Sequence, residues 1–293
     1  MPVKLSVPFL LFFCMALSVS LGCKKSTVET AVVFLGHKGN GSNNYHDDIL
    51  ENTLPAAVFA LQSMDGVELD VQASLDGTLW IYHDASVYGA SCNGGGDTEE
   101  EIPTMYDSEI EQLLICHKTK RDRIYKLQEV VDYWNSHPGG FHLSLDMKIS
   151  YSAKTFAAIG GRTDYIARVA LNLSKTFATI AHPNQLMVEV QTQDFIAPIR
   201  RQSNGNLFQL YYIVNGSLTE NIPVAKTKGF TGISCEYTNP TVTAESIQLA
   251  HEAGLKIQLW TPYYRDQLRT AFAMGPDAIQ TDNMYAKQAL RVK

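Results

Sequence analysis

Eight short apolar runs, each followed by a stretch with helical spacing, recur through this chain, and few folds accommodate such a rhythm. The runs begin near residues 31, 67, 142, 186, 207, 232, 256 and 277. The first, Ala31 to Leu35 (AVVFL), stops at Gly36-His37-Lys38-Gly39. A continuous apolar run ending in a Gly-rich polar loop is the pattern of a strand buried on both faces, as parallel strands are. After a polar loop, ENTLPAAVFALQSM predicts a helix: Asn52 or Thr53 can cap it, Pro55 fits its first turn, and the Ala, Val, Phe and Leu residues supply a buried face. Further helices are expected over LQEVVDYWNSH, Asp164 to Ile180, FIAPIRRQ, Ile222 to Lys228, TAESIQLAHEAG and RDQLRTAFAMG, with one more after the last strand. Eight alternating βα units in 293 residues predict an α/β fold, a (β/α)8 TIM barrel. A doubly wound open sheet is the alternative, weakened because no Gly-x-Gly-x-x-Gly fingerprint follows the first strand. The rhythm breaks once, at about residues 85–126, where SCNGGGDTEEE predicts a loop-like, acidic insertion after the second strand unit.

The second unit, VELDVQASLDGTLWIYHD (67–84), carries the first chemical signal. Strand side chains alternate faces, so Glu68 and Asp70 point one way while Val67, Leu69 and Val71 point the other. Two acids on one face of an apolar strand repel each other and are costly to bury unless a cation lies between them. Asp76-Gly77 then predicts a hairpin turn into a second strand that ends at His83.

The N-terminus and the charge balance narrow the class. Lys4 is followed by VPFLLFFCMALSVSLG, too short for a comfortable membrane span and ending in small residues, which predicts a secretory signal over residues 1–22. Cys23 and the polar KKST after it resemble the lipobox of bacterial lipoproteins. That resemblance implies an exported chain held at a membrane surface through acyl groups on Cys23, a tether over 23–30 and a catalytic domain over 31–293. Of the five cysteines, Cys92, Cys116 and Cys235 then remain in the domain. Cys92 and Cys116 flank the insertion, so export makes a disulfide between them an expectation; the alternative is that Cys116 and Cys235 are small buried hydrophobes. A formal charge of −6 with no basic stripe excludes a nucleic-acid partner.

Barrel enzymes place reacting groups at the C-terminal ends of their strands. Here those ends carry His37 and Lys38, Glu68 and Asp70, His83, Asp146 and Lys148, Glu189 and Gln191, Glu236, Trp260 and Asp282. Glu68, Asp70 and Asp146 are oxygen ligands suited to a hard divalent ion, Ca²⁺ or Mg²⁺. His37 and His83 are imidazoles, the side-chain type whose intrinsic pKa near ~6.5 suits a general acid and base. Lys38 and Lys148 offer positive charge to an anionic oxygen. Together these types suit hydrolysis of a phosphate diester. Glu189, Glu236 and Asp282 read as structural strand-end acids, and His46, His117, His137, His142, His182 and His251 as residues of loops and helix faces without matched partners.

The GHKG, ENT, VELDVQASLDGTLWIYHD, LWTP and QTD segments resemble the glycerophosphodiester phosphodiesterase family, densely from Phe34 to Asp84 and again from Lys256 to Asp282. The resemblance implies a (β/α)8 barrel hydrolysing glycerophosphodiesters to glycerol 3-phosphate and an alcohol. It matches His37 and His83 to the catalytic histidines, Glu68, Asp70 and Asp146 to metal ligands, and Lys148 to a lysine beside the third ligand. Glu51 and Asn52 match the ENT element, and Trp260 an aromatic residue packing against the glycerol part. Two positions depart: Lys38 stands where the family has arginine, giving up a two-pronged phosphate contact, and Asp146 stands where it has glutamate. A phosphodiesterase for phosphoinositol or lysophospholipid head groups, or a lipoprotein that binds such a ligand without cleaving it, are the alternatives.

Overall fold

The computed structural model describes residues 32–45, 48–87, 92, 100–137 and 140–291, with Met1. Residues 2–22 of the expected signal, the expected tether with Cys23, and His46 lie outside the described residues.

Eight parallel strands close into a barrel: β1 (Val33–Gly36), β2 (Gly66–Ala73), β7 (His142–Met147), β8 (Leu186–Val190), β9 (Gln209–Val214), β10 (Gly232–Glu236), β11 (Lys256–Trp260) and β12 (Ala278–Thr281). Closure is made by β1, which pairs with β12 on one side and with β2 on the other through Leu35↔Gly66 and Gly36↔Val67. The second strand is long enough to do two jobs. Its first half closes the barrel, and its second half leaves β1 to pair antiparallel with β3 (Leu79–Ile81), which pairs in turn with β6 (Tyr125–Lys126). The predicted hairpin at Asp76-Gly77 is this β2–β3 turn, with Gly77 at φ 92°. The outer ring consists of α1 (Leu54–Ala60), α3 (Leu127–Asn135), α5 (Arg162–Thr176), α6 (Ile196–Arg200), α7 (Leu218–Lys228), α8 (Ala244–Glu252), α9 (Arg265–Ala273) and α10 (Ala286–Arg291). Thr53 caps α1 by accepting from the Ala56 N–H, and Pro55 sits in its first turn. A short helix, α4 (Ala153–Ala158), precedes α5 and has no counterpart in the sequence reading, because its one turn and a half shows too few apolar positions for a period. The strand expected from 207 starts at Gln209, after a 3-10 turn over Gly205–Leu207.

Outward-facing strand residues such as Leu69, Leu145, Val188, Ile233 and Ile257 pack beneath the helices in the main core. Inside the barrel a small apolar floor of Leu35, Met187, Tyr211 and Ala278 lies under a polar layer. Two residues beyond Met187, Glu189 accepts hydrogen bonds from Ser144 Oγ (2.7 Å), Ser234 Oγ (2.6 Å) and Gln280 Nε2 (2.6 Å). Gln258 Nε2 joins this network through Ser234 Oγ at 3.3 Å. Glu189 is therefore part of the barrel interior rather than a cap at the strand end.

The insertion is more than the expected loop. It contains α2 (Asp107–Ile110) and a hairpin of β4 (Leu114–His117) with β5 (Lys120–Arg123), and it returns through β6. Its own core gathers Trp80, Tyr82, Ile102, Ile110, Ile115 and Ile124 with Leu50 of the β1–α1 loop. Asp107 pins it to the barrel by accepting from Ser74 Oγ, Thr78 Oγ1 and Trp80 Nε1. Cys92, Cys116 and Cys235 are thiols in this structure, Cys235 buried and Cys92 donating to the Leu114 carbonyl. The expected Cys92–Cys116 disulfide is not formed here, although the two sulfurs are close enough to hydrogen-bond. No helix among the described residues is long and apolar enough to cross a membrane.

Candidate active site

A cavity of about 220 Å³ opens at the C-terminal ends of the barrel strands, and its walls include His37, Glu68, Asp70, His83, Asp146, Lys148 and Trp260. These residues come from β2, β7, β11 and the loops after β1, β3 and β7, so the barrel assembles what the sequence scatters. Glu189, Gln191, Ile213, Asn215 and Gln280 complete the lining.

Each histidine is held by a carboxylate. His37 Nδ1 lies 2.8 Å from Asp282 Oδ1, and the same oxygen accepts the Ser42 N–H at 2.7 Å. His83 Nδ1 lies 2.7 Å from Asp84 Oδ1. An ionised carboxylate only accepts, so both Nδ1 atoms carry the proton and both Nε2 atoms are left for substrate. The environments differ: the Asp282 side chain is 6% exposed and the Asp84 side chain 67%. Burial alone would raise the Asp282 carboxyl, but the hydrogen bond and charge of His37 outweigh it and hold it below the usual carboxylate range. His83 is aimed by Gln72, whose Nε2 donates to the carbonyls of Tyr82 and Asp84, both at 2.7 Å, while its Oε1 accepts from Tyr151.

The carboxylates meet around Lys148. Its Nζ lies 2.7 Å from Asp70 Oδ1 and 2.6 Å from Asp146 Oδ2. Burial opposes the charge on Asp70, yet Lys148, with His83 and Lys38 further away, holds its carboxyl well below the usual range. Glu68 goes the other way: burial, then the charges of Asp70 and Glu189, push it well up. Burial likewise raises Asp146 and Glu189. Asn52 grips Asp70 twice, donating Nδ2 to Oδ2 at 2.7 Å and accepting the Asp70 N–H at 2.9 Å. Asn52 adopts φ 53°, a left-handed conformation that asparagine tolerates.

Lys38 is placed otherwise than its sequence position suggests. Its N–H donates to Glu68 Oε2 at 2.9 Å, but its Nζ turns to Glu51 Oε1 at 3.0 Å and away from the cavity walls. The left-handed turn at Lys38, φ 52°, directs the side chain along the loop toward the ENT segment. Glu51 and Asn52 thus hold Lys38 and Asp70 in place instead of lining the main cavity.

Among the described residues no three His, Cys, Asp or Glu side chains are already arranged to hold a metal ion, since the Lys148 ammonium stands between two of the expected ligands. The residues nevertheless fit a hard cation. All donors are carboxylate oxygens, and Asp146 Oδ1 is buried with no hydrogen-bond partner among the described residues.

Sequence reasoning assembled most of this wall but set Asp282 and Glu189 aside as structural acids and passed over Gln72 and Tyr151. Gln72 shares the strand face of Glu68 and Asp70, a period-two signal available in the sequence. Tyr151 lies in a loop and has no such signal.

The sequence model of the glycerophosphoryl diester phosphodiesterase family matches residues 37–286. The chain belongs to this family. Its members are phosphoric diester hydrolases, and the resemblance carried by GHKG, ENT and ELD extends from the loop after β1 to the start of α10. Solved structures share the fold at low identity. A glycerophosphodiester phosphodiesterase from Parabacteroides distasonis is 15% identical with a TM-score of 0.69, covering 90% of this chain and 97% of that one. An Oleispira antarctica phosphodiesterase, solved with the product sn-glycerol-3-phosphate, is 15% identical with a TM-score of 0.67, covering 88% and 96%. The Thermotoga maritima glycerophosphodiester phosphodiesterase is 20% identical with a TM-score of 0.61, covering 89% and 98%. No curated protein matches the chain in sequence.

Proposed function

We propose that this chain hydrolyses glycerophosphodiesters to glycerol 3-phosphate and an alcohol, using His37 and His83 as general base and general acid. The observation that supports this reading best is the pair of carboxylate-anchored imidazoles lining one carboxylate-rich cavity. His37, the more enclosed of the two, takes the proton of the attacking hydroxyl, either water or the glycerol 2-hydroxyl, at Nε2. Asp282 keeps its Nδ1 proton in place and stabilises the imidazolium that results. His83 acts in its doubly protonated form: Asp84 holds the Nδ1 proton, and the Nε2 proton goes to the departing alkoxide. One P–O bond forms, the P–O bond to the alcohol breaks, and the proton gained by one imidazole balances the proton lost by the other; where the 2-hydroxyl attacks, water then opens the cyclic phosphate with the two imidazoles in exchanged roles.

A divalent cation, Ca²⁺ or Mg²⁺, would be held by Glu68, Asp70 and Asp146 and would supply charge neutralisation for the non-bridging phosphate oxygens. Lys148 adds a cation of the chain's own at the cavity wall. Trp260 offers an apolar face to the glycerol carbons. The leader supports export, with Cys23 as the lipidated residue at a membrane surface; mass analysis of the mature N-terminus tests that, and an unmodified Cys23 would remove it.

Turnover of a panel of glycerophosphodiesters, with and without chelator, tests the reaction. The expected result is metal-dependent release of glycerol 3-phosphate; binding without product under any divalent ion would overturn it.

A further inference from the structure

The outer helices sort their charges by end. They start at the mouth of the barrel and finish at the opposite face, its base, where the next strand begins. First turns carry Asp164 of α5, Glu220 of α7, Glu245 of α8 and Asp266 of α9. Last turns carry Lys175 of α5, Lys226 and Lys228 of α7, and Arg291 of α10. These cations are scattered through the sequence, and folding gathers them on the face away from the carboxylate-rich cavity. Helix dipoles favour that placement on their own, but they do not call for what lies between α9 and α10. There a recess of about 460 Å³ is walled by Phe34, Phe272 and Leu290, with Arg269, Lys287 and Arg291 around them. Its one carboxylate among the described residues, Asp65, accepts from Lys287 Nζ at 2.6 Å, so three cations face one anion and the wall is positive. Arg269 and Arg291 are exposed, and Phe272, stacked on Phe34, is 45% exposed. Val32, where the chain enters the barrel, lines the same recess.

We propose that this base docks on an anionic phospholipid surface, Arg269 and Arg291 meeting the lipid phosphates and Phe272 entering the head-group layer. Cations beside an exposed aromatic ring suit the boundary between head groups and acyl chains, where charge attraction and apolar burial act together. Because the chain enters the barrel here, an acyl anchor on Cys23, nine residues before Val32, would hold this face within roughly 30 Å of the bilayer. The charge attraction acts with or without that anchor. Docked in this way, the barrel turns its mouth to water, and its substrate is a soluble, deacylated diester rather than a lipid drawn from the bilayer; that consequence rests on the phosphodiesterase reading.

Two indole probes on the full chain test this: Phe272→Trp at the base, and Tyr264→Trp in the loop before α9 on the mouth side, where Tyr264 is 62% exposed. Each is read against wild-type emission with vesicles carrying a head-group quencher, made of phosphatidylcholine alone or of equal parts phosphatidylcholine and phosphatidylglycerol. The anionic vesicles should quench the Phe272→Trp signal at least threefold more than the neutral ones, and salt should shrink the difference. Adding Arg269→Glu and Arg291→Glu should remove it with the circular dichroism spectrum unchanged. Turnover of a soluble glycerophosphodiester should stay within twofold when anionic vesicles are added. Equal quenching by the two lipids would overturn the docking face. Stronger quenching of Tyr264→Trp, or loss of turnover on adding vesicles, would overturn it in favour of the mouth side, where the β4–β5 hairpin carries Lys120 and Arg121. A chain that docks through Phe272 and hydrolyses no diester would overturn the phosphodiesterase reading and leave the docking face standing.

Discussion

Replacing Asp282 probes the part of the catalytic machinery that the sequence least announces. Its Oδ1 accepts from His37 Nδ1 at 2.8 Å and from the Ser42 N–H at 2.7 Å, on a side chain only 6% exposed. Hydrogen bonds to charged groups contribute about 1.5–3 kcal/mol, and about 1.4 kcal/mol corresponds to a factor of ten in rate. Asp282→Ala should therefore lower kcat by about 10- to 150-fold, with KM changed far less, because Asp282 acts through His37 and does not line the cavity. Asp282→Asn is informative in a different way. The Ser42 N–H requires an acceptor, so it keeps the amide oxygen where the carboxylate oxygen was, and His37 retains its tautomer. Only the charge is lost; since neutral hydrogen bonds are about half as strong as charge-assisted ones, the expected loss is about fivefold. Steady-state kinetics supplies the rates, and ¹⁵N shifts of the His37 ring report the proton on Nδ1 in the wild type and Asn variant and its redistribution in the Ala variant. A folded Asp282→Ala enzyme within twofold of wild type, with an unchanged His37 tautomer, would refute the positioning role.

Other consequences are structural. Glu189→Leu strands three buried donors, Ser144, Ser234 and Gln280, at about 1–3 kcal/mol each, so urea unfolding should show a loss of at least about 3 kcal/mol; a loss below about 1 kcal/mol would mean the network contributes little to the barrel. Asp107 gives a pH signature: burial alone would raise its carboxyl, but Ser74, Thr78 and Trp80 hold it below the ordinary value. A group with a depressed folded-state pKa contributes stability that is present above the unfolded value, near ~3.9, and lost as pH falls through the folded value. Asp107→Asn should thus lower the unfolding midpoint at pH 7 and narrow its gap from wild type by pH 3; an equal gap at both pH values contradicts the assignment. In an oxidising compartment Cys92 and Cys116 are expected to give up two electrons and two protons to a disulfide oxidant and pair, lowering the mass by about two hydrogens, while Cys235 resists labelling until the chain unfolds. Recovery of Cys92 and Cys116 as thiols after oxidation would show that the neighbouring sulfurs do not pair.

The barrel was legible because its strands are buried on both faces and its helices on one, which imprints two periods on the sequence. The carboxylate wall was legible for the same reason: Glu68 and Asp70 break an apolar pattern at a spacing that only a strand explains. Asp282 was harder to interpret, because its partner His37 lies 245 residues away and only barrel closure through β1 and β12 brings them together. Lys38 shows the opposite failure. Its place beside His37 suggested phosphate contact, but the left-handed backbone there and the carboxylate of Glu51 turn it aside, which a one-dimensional pattern does not record. The insertion read as a loop because its short helix and two-stranded hairpin are each below the length at which periodicity can be seen, and its core borrows Leu50, Trp80 and Tyr82 from elsewhere in the chain.

In the proposed reaction two imidazoles move protons at opposite ends of a phosphodiester. Hydrolysis of glycerophosphoethanolamine by His37→Ala and His83→Ala, each with divalent metal supplied and folding verified by circular dichroism, tests it most directly. Each variant should lose at least about 10²-fold in kcat, the range of a general acid or base, while still binding glycerol 3-phosphate. Full activity of either variant would contradict it.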